Sequence, residues 1–309
     1  MKTALILGIS GGFGGHVAQQ LMQDGWKIKT LMRDPNKLAA AFDTVEAAAG
    51  DAADASAIES AAVGVDVIVY GINPRYNQWE QQSLPMLEAM LQVAEKKQLQ
   101  VVFPGNVYAY QPDSSRDISE ITATHPLTKK GEIRLAMEQR LRQASNKGVK
   151  VLIIRCGDFI GKDAHSTWMY RLIKPTSKGY QLSATGPRHI PHTWAYLPDV
   201  AKTVSELLKK GQLGKFEVFH FSGHRVSFND IAKAIEARTG KSVKIVNFPW
   251  LLLQIFAPFS SMIRSVLEMR YLWNKPLNLS EQRLKKVLGE KIPHTDLEQA
   301  LENADLLGA

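Results

Sequence analysis

Apolar and polar residues fall into blocks along this chain. The runs TALILG (3–8), KIKTLM (27–32), VDVIVYG (65–71), QVVFPG (100–105) and VKVLIIRCG (149–157) are short, and each stops near Gly, Pro or a charged residue. Near-continuous apolarity over so few positions is the pattern of strands buried on both faces. Longer stretches with helical spacing separate most of them, among them HPLTKKGEIRLAMEQRL (125–141) and LPDVAKTVSELLKK (197–210), the latter followed by a strand-like FEVFHFSG (216–223). This alternation predicts an α/β fold, a doubly wound parallel sheet with right-handed crossovers. From about residue 224 the pattern is mostly helical and predicts a smaller C-terminal lobe. That part holds FPWLLLQIFAPFSSMI (248–263), whose apolar run is interrupted by Gln254 and Pro258 and is too short to span a bilayer. It reads as a lobe or lid, with a membrane-surface role as the lesser alternative. Trp250, Phe256, Phe259, Tyr271 and Trp273 are expected to form an apolar wall of a substrate cavity.

Composition narrows the class. The chain has 309 residues, of which 45% are hydrophobic, enough for a sizeable core. The formal net charge is +8, but acids are interspersed among the cations and no recognition motif accompanies them, so a nucleic-acid partner is not expected. A lone Cys156 cannot close an intramolecular disulfide, which fits a reducing cytoplasm. The opening MKTALILGIS leads into glycines instead of a cleavage site and reads as a first strand. No zinc-type cluster, nucleophile elbow or Walker loop is present, so a metal site, a hydrolase and an NTPase are without support.

The strongest motif is LILGISGGFGG, in which Gly8, Gly11 and Gly14 take the spacing GxxGxxG between a strand and a helix. Glycine there lets the chain turn tightly and lets a pyrophosphate approach the amides at the helix N-terminus, which predicts dinucleotide binding.

With this motif in place the residues resemble the extended and atypical short-chain dehydrogenase/reductases, over nearly the whole chain. GISGGFGG looks like that family's cofactor loop, AGDAAD (49–54) like the segment whose acid reaches the adenine, and VIVYGINP (67–74) like the end of the fourth strand. IIRCGDFIG (153–161) is similar to a stretch beside the nicotinamide, and WAYLPDVA (194–201) to a further family signature. The resemblance implies a Rossmann fold, with an NAD(P)-binding domain over 1–155 and 192–223 and a substrate-binding lobe over 156–191 and 224–309. It assigns cofactor contacts to Gly8, Ser10, Gly11, Gly12, Phe13, Gly14, Asp51, Ala52, Tyr70, Gly71, Pro104, Gly105, Asn106, Cys156, Gly157 and Phe159. Arg33, directly after the second strand, resembles the guanidinium of NADP-binding members, which grips the 2′-phosphate; Asp34 beside it leaves NAD as the alternative.

Catalytic members carry YxxxK on the helix after the fifth strand and a hydroxyl near that strand's end. Aligned through VYAY (107–110) and Glu138, this chain has Lys130 in place of the tyrosine, Arg134 in place of the lysine and Pro104 in place of the hydroxyl. Two other YxxxK strings, Tyr170 to Lys174 and Tyr271 to Lys275, fall in the expected lobe and read as chance. Lys130, crowded by a second cation, is expected to act as an acid or to grip an anionic substrate group, and Arg134 to hold the ribose; a solvated basic helix face is the plainer reading. Tyr108 and Tyr110 are candidate phenols or packing residues, Tyr108 the one assigned a chemical role, Asn106 is a substrate contact or a turn residue, and His192 a substrate contact or a structural histidine. Two functions are compatible with this pattern. One is an NADP-dependent oxidoreductase or epimerase/dehydratase-like enzyme acting on a small anionic or carbonyl-containing molecule. The other is a dinucleotide-binding sensor that turns nothing over, as NmrA-like relatives are thought to be.

Overall fold

The computed structural model describes residues 1–111, 117–211, 213–289 and 292–307. Seven strands form a parallel sheet: β1 (Thr3–Leu7), β2 (Lys27–Met32), β3 (Glu46–Ala49), β4 (Val67–Tyr70), β5 (Gln100–Gly105), β6 (Val151–Arg155) and, after four strands that leave the sheet, β11 (Phe216–His220). Their order is β11-β6-β5-β4-β1-β2-β3. The chain winds outward from β1 in both directions, which opens a crevice at the carboxyl ends of β1 and β4 where ligands bind in such sheets. Leu5, Leu7, Ile68 and Val101 on one face and Ala4, Ile6, Val69 and Val102 on the other feed two separate apolar clusters. Burial on both faces explains why β1, β4, β5 and β6 show no polar alternation, whereas β2, next to the edge strand β3, sets exposed Lys27 and half-buried Lys29 either side of buried Ile28.

Helices α1 (Gly12–Gln23), α2 (Ala55–Ala61), α3 (Trp79–Lys97), α4 (Lys129–Asn146) and α6 (Leu197–Lys210) cover the sheet. α4 begins later than the pattern suggested. Thr128 caps it, its side chain accepting from the Gly131 amide at 3.1 Å, and Pro126 disfavours a helical conformation for the residue before it. Three further differences concern strands. β3 is an alanine-rich EAAA without β-branched residues, held by its pairing to β2. The run 149–157 ends at Arg155, and the run 216–223 ends at His220. Beyond these two ends the chain forms β7 (Asp158–Ile160) and β12 (His224–Val226), which join β10 (His192–Tyr196) in a three-stranded sheet of their own.

The rest of the chain holds α5 (Trp168–Leu172), β8 (Ile173–Thr176), β9 (Gly179–Ala184), α7 (Phe228–Thr239), β13 (Val243–Asn247), α8 (Trp250–Phe256), α9 (Ser261–Leu267), α10 (Gln282–Leu288) and α11 (Leu297–Asn303). β13, β9 and β8 form a third sheet, so this part is less purely helical than its pattern implied.

Candidate functional site

At the end of β1 the chain turns at Gly8, whose φ of +89° is a conformation that side chains rarely adopt. A Cβ on Gly8 would also stand 2.8 Å from the Gly71 carbonyl group, and one on Gly14 would collide with the Gly8 carbonyl oxygen. The two glycines therefore let the ends of β1 and β4 and the first turn of α1 approach closely. Gly11 caps α1 with no side-chain acceptor, and no acid lies in the first turn. The unpaired amides and the positive end of the helix suit a pyrophosphate. A cavity of about 160 Å³ beside the loop is lined by Ser10, Gly11, Gly12, His16, Lys37 and Lys162 among others. Gly12 packs under Ala164 and Leu197, to which a Cβ would come within 3.0 and 2.9 Å, while the Phe13 side chain is buried in the core.

Arg33 is exposed after β2. Asp34 is turned into its own loop, accepting from the Asn36 amide at 3.2 Å and facing Lys37 Nζ at 3.5 Å. Asp51 likewise accepts from the Ala53 amide at 2.9 Å, with Ala52 half-buried between them. Gly71 donates to the Leu7 carbonyl at 2.7 Å. Tyr70 is fully buried, stacked on Phe103 with centroids 5.6 Å apart. Burial pushes its phenol up, and the hydroxyl has no partner among the described residues. Cys156 lies in the core as well, its thiol pushed far up by burial. The neighbouring Gly157 passes against the Thr193 carbonyl, and Phe159 is half-buried.

The α4 end is made of side chains. Lys130 is not a solvated residue: it is buried, and its ammonium pairs with Glu268, which also accepts from the Lys130 amide at 2.8 Å. Its Nζ also lies 5.4 Å from the centroid of the Tyr76 ring. Arg134 turns to the Pro104 carbonyl, 3.3 Å from Nη1, and lies over the Trp79 and Phe103 rings at 4.7 and 5.5 Å. Its Nε is buried without a partner among the described residues, and burial lowers its pKa. Beside it the hydroxyls of Tyr76 and Tyr108 share a hydrogen bond of 2.8 Å. Burial raises both phenols, Tyr76 to about 12. Asn106 makes its turn by accepting from the Tyr108 amide at 3.1 Å. Gly105 admits Arg155, whose Cγ would stand 2.5 Å from a Cβ there.

Sequence reasoning named Lys130, Arg134 and Tyr108 but missed their partners Glu268, Trp79 and Tyr76. Nothing in the spacing signals Glu268, which lies 138 residues from Lys130. Tyr110 joins a buried network with Arg155, Glu138 and His220. His192 bonds Asp158 at 2.7 Å and stacks on Trp273 with centroids 4.4 Å apart. Of the two other YxxxK strings, Tyr170 and Lys174 are exposed, whereas the Tyr271 hydroxyl donates to the Tyr108 carbonyl at 3.3 Å. The aromatic segment divides: Trp250 and Trp273 turn inward against Trp168, but Phe256 and Phe259 point outward, against the expectation of a wall. Among the described residues no group of three or more His, Cys, Asp or Glu is placed to hold a metal.

Known proteins resemble the whole chain. The fold is similar to a Burkholderia cenocepacia J2315 protein that carries the provisional name of an epimerase, with TM-score 0.79, 17% identity, and 100% of this chain and 99% of that chain covered. It is also similar to UDP-glucose 4-epimerase from Bifidobacterium longum in complex with NAD+ and UDP, with TM-score 0.75, 16% identity and coverage of 99% and 97%. A third likeness is to dTDP-glucose 4,6-dehydratase from Bacillus anthracis in complex with NAD, with TM-score 0.76, 14% identity and coverage of 98% and 95%. No curated protein matches the sequence. The model of the NmrA-like family matches residues 1–299, a span that takes in the Rossmann sheet, the glycine turn at β1 and the altered α4 positions, and the chain belongs to the NmrA-like family.

Proposed function

We propose that the protein is an NADP(H)-dependent oxidoreductase or epimerase/dehydratase-like enzyme for a small carbonyl-containing or anionic molecule, working without the usual tyrosine–lysine pair. The observation that carries this reading is the Tyr76–Tyr108 phenol pair beside the buried Arg134 guanidinium, in the loops that follow β4 and β5. The open amides of α1 suit the pyrophosphate, and Arg33, with Asp34 bound into its own turn, suits a 2′-phosphate better than a 2′-hydroxyl. When bound, the nicotinamide supplies the hydride chemistry. Tyr108, protonated at neutral pH, donates a proton toward a substrate oxygen, Tyr76 orients it, and Arg134 favours negative charge arising nearby. Residues 156–191 and 224–309 serve as the substrate lobe, with Trp168 and Trp273 as its apolar side. The complexes of two fold relatives with NAD+ and NAD support a nicotinamide cofactor.

A second reading has an observation of its own. Lys130 and Arg134 are both consumed inside the protein, by Glu268 and by the Pro104 carbonyl, as suits a dinucleotide-binding sensor without turnover. Fluorescence titration with NADPH and NADH, followed by NADPH consumption over a panel of carbonyl compounds, separates the two. NADPH is expected to bind more tightly, Arg33→Ala to remove most of that difference, about 1–3 kcal/mol, and Tyr108→Phe to slow turnover by about 10²-fold. Equal affinities for the two nucleotides in the parent protein sink the assignment to NADP. Tight NADPH binding with no turnover across the panel selects the sensor.

A further inference from the structure

α8 and the 3-10 turn at its C-terminal end present an apolar surface. Leu251, Leu252, Ile255, Phe256 and Phe259 are 73, 51, 60, 49 and 87% exposed, whereas Trp250 in the same helix is buried. Single exposed hydrophobics are ordinary, and Val63, Leu84, Ile121 and Leu127 are scattered in that way. Five within nine consecutive residues form a patch, which in a water-soluble surface marks a docking site.

Charge says what docks there. Between residues 247 and 273 the chain carries Arg264, Arg270 and a single acid, Glu268, and that acid is taken by buried Lys130. Arg264 donates from Nη1 to the Ala257 and Pro258 carbonyls at 2.9 and 3.1 Å, so its head lies at the turn between Phe256 and Phe259. Arg270 lies over the Trp250 ring at 5.7 Å, at the start of α8. Guanidinium groups thus flank both ends of the apolar surface, with no free acid in the segment. A second copy of the same face would bring four guanidinium groups together with no free acid of this segment to offset them. An anionic lipid surface offers what is needed: acyl chains for the five side chains and headgroup charges for the arginines. Among the described residues no helix is long and apolar enough to cross a membrane, so the contact is peripheral.

We infer that the α8 surface docks this protein on a lipid bilayer that carries anionic headgroups, with the five side chains inserted at the headgroup boundary. The test is co-sedimentation of the full chain with vesicles of phosphatidylcholine alone and of phosphatidylcholine with phosphatidylglycerol, at low and high salt. The parent protein is expected to pellet with the anionic vesicles, and about tenfold less with neutral ones or at high salt. The double variant Ile255→Ser, Phe259→Ser removes only exposed groups; it is expected to bind at least about tenfold more weakly, with unchanged circular dichroism, thermal midpoint and NADPH affinity. Three results overturn the inference: a parent protein that stays in the supernatant with both vesicle types, a double variant that pellets like the parent, or light scattering that shows a parent dimer which the double variant turns into a monomer. The last assigns the surface to a second copy.

Discussion

Where β1 meets α1 the site is made of backbone, and across β4 and β5, where α4 begins, it is made of side chains. The first end works by what is missing: Gly8 and Gly14 carry no Cβ, so two strands and a helix close on one another and leave amides free for a ligand. The second end works by what is filled in. Lys130 is paired with Glu268, Arg134 lies between aromatic rings, and Tyr76 holds Tyr108. A site of the first kind stays open to a ligand whose chemistry is general, a phosphate. A site of the second kind has been fitted to its own protein, its charged and phenolic groups already engaged by one another.

The sharpest way to break this contrast is Lys130→Met. At the tyrosine position of a catalytic relative, such a change would touch only turnover. Here it strands Glu268 beside a buried methionine, and the ammonium and carboxylate side chains are only 4% and 24% exposed. A loss of about 3 kcal/mol in unfolding free energy is expected from urea denaturation, with NADPH affinity within a few-fold of the parent. The double variant with Glu268→Met should regain much of that loss. A Lys130→Met protein as stable as the parent would show that the pair contributes nothing.

Gly14→Ala probes the other end. The new methyl meets the Gly8 carbonyl, so the turn must open. Fluorescence titration is expected to find NADPH binding lost, while stability falls by about 1–3 kcal/mol. If binding survives, the glycine turn is not where the nucleotide sits.

The smallest effect concerns pH and again separates the ends. Burial, with the Arg155 charge second, lowers His220 to about 3 from an ordinary value near 6.5. The unfolded chain therefore takes up a proton there before the folded one does. The contribution of His220 is complete above about pH 6.5 and is lost progressively as pH falls toward 3, by about 1.4 kcal/mol per pH unit at most. Urea midpoints from pH 7.5 to about 5 should fall in the parent and fall less in His220→Gln. Identical slopes would remove His220 as the source.

Arg155, Glu138 and Tyr110 belong to the same network as His220, and none of its members could be linked from spacing. The five apolar runs, by contrast, were legible because burial on both faces leaves few polar positions inside them, and each of them holds a strand of the sheet. The glycine turn was legible for a related reason: the positive φ at Gly8 and the close approach of Gly14 to the Gly8 carbonyl each exclude a side chain, so one residue type recurs at a set spacing. β3 was not, since EAAA has no strand propensity and is held by its neighbour β2. Nor was the outward turn of Phe256 and Phe259, because an apolar residue reads the same in sequence whether it faces a core or a surface.

By itself, then, the sequence determined the sheet apart from β3, its winding and the phosphate-type turn, all properties of local pattern and of single residues. Only the tertiary structure decided what Lys130 and Arg134 do. Four apart on one helix they look like a matched pair, yet Glu268 takes one and the Pro104 carbonyl with two aromatic rings takes the other. A charge buried in a protein must find its partner in space, and here those partners come from parts of the chain that only folding brings together.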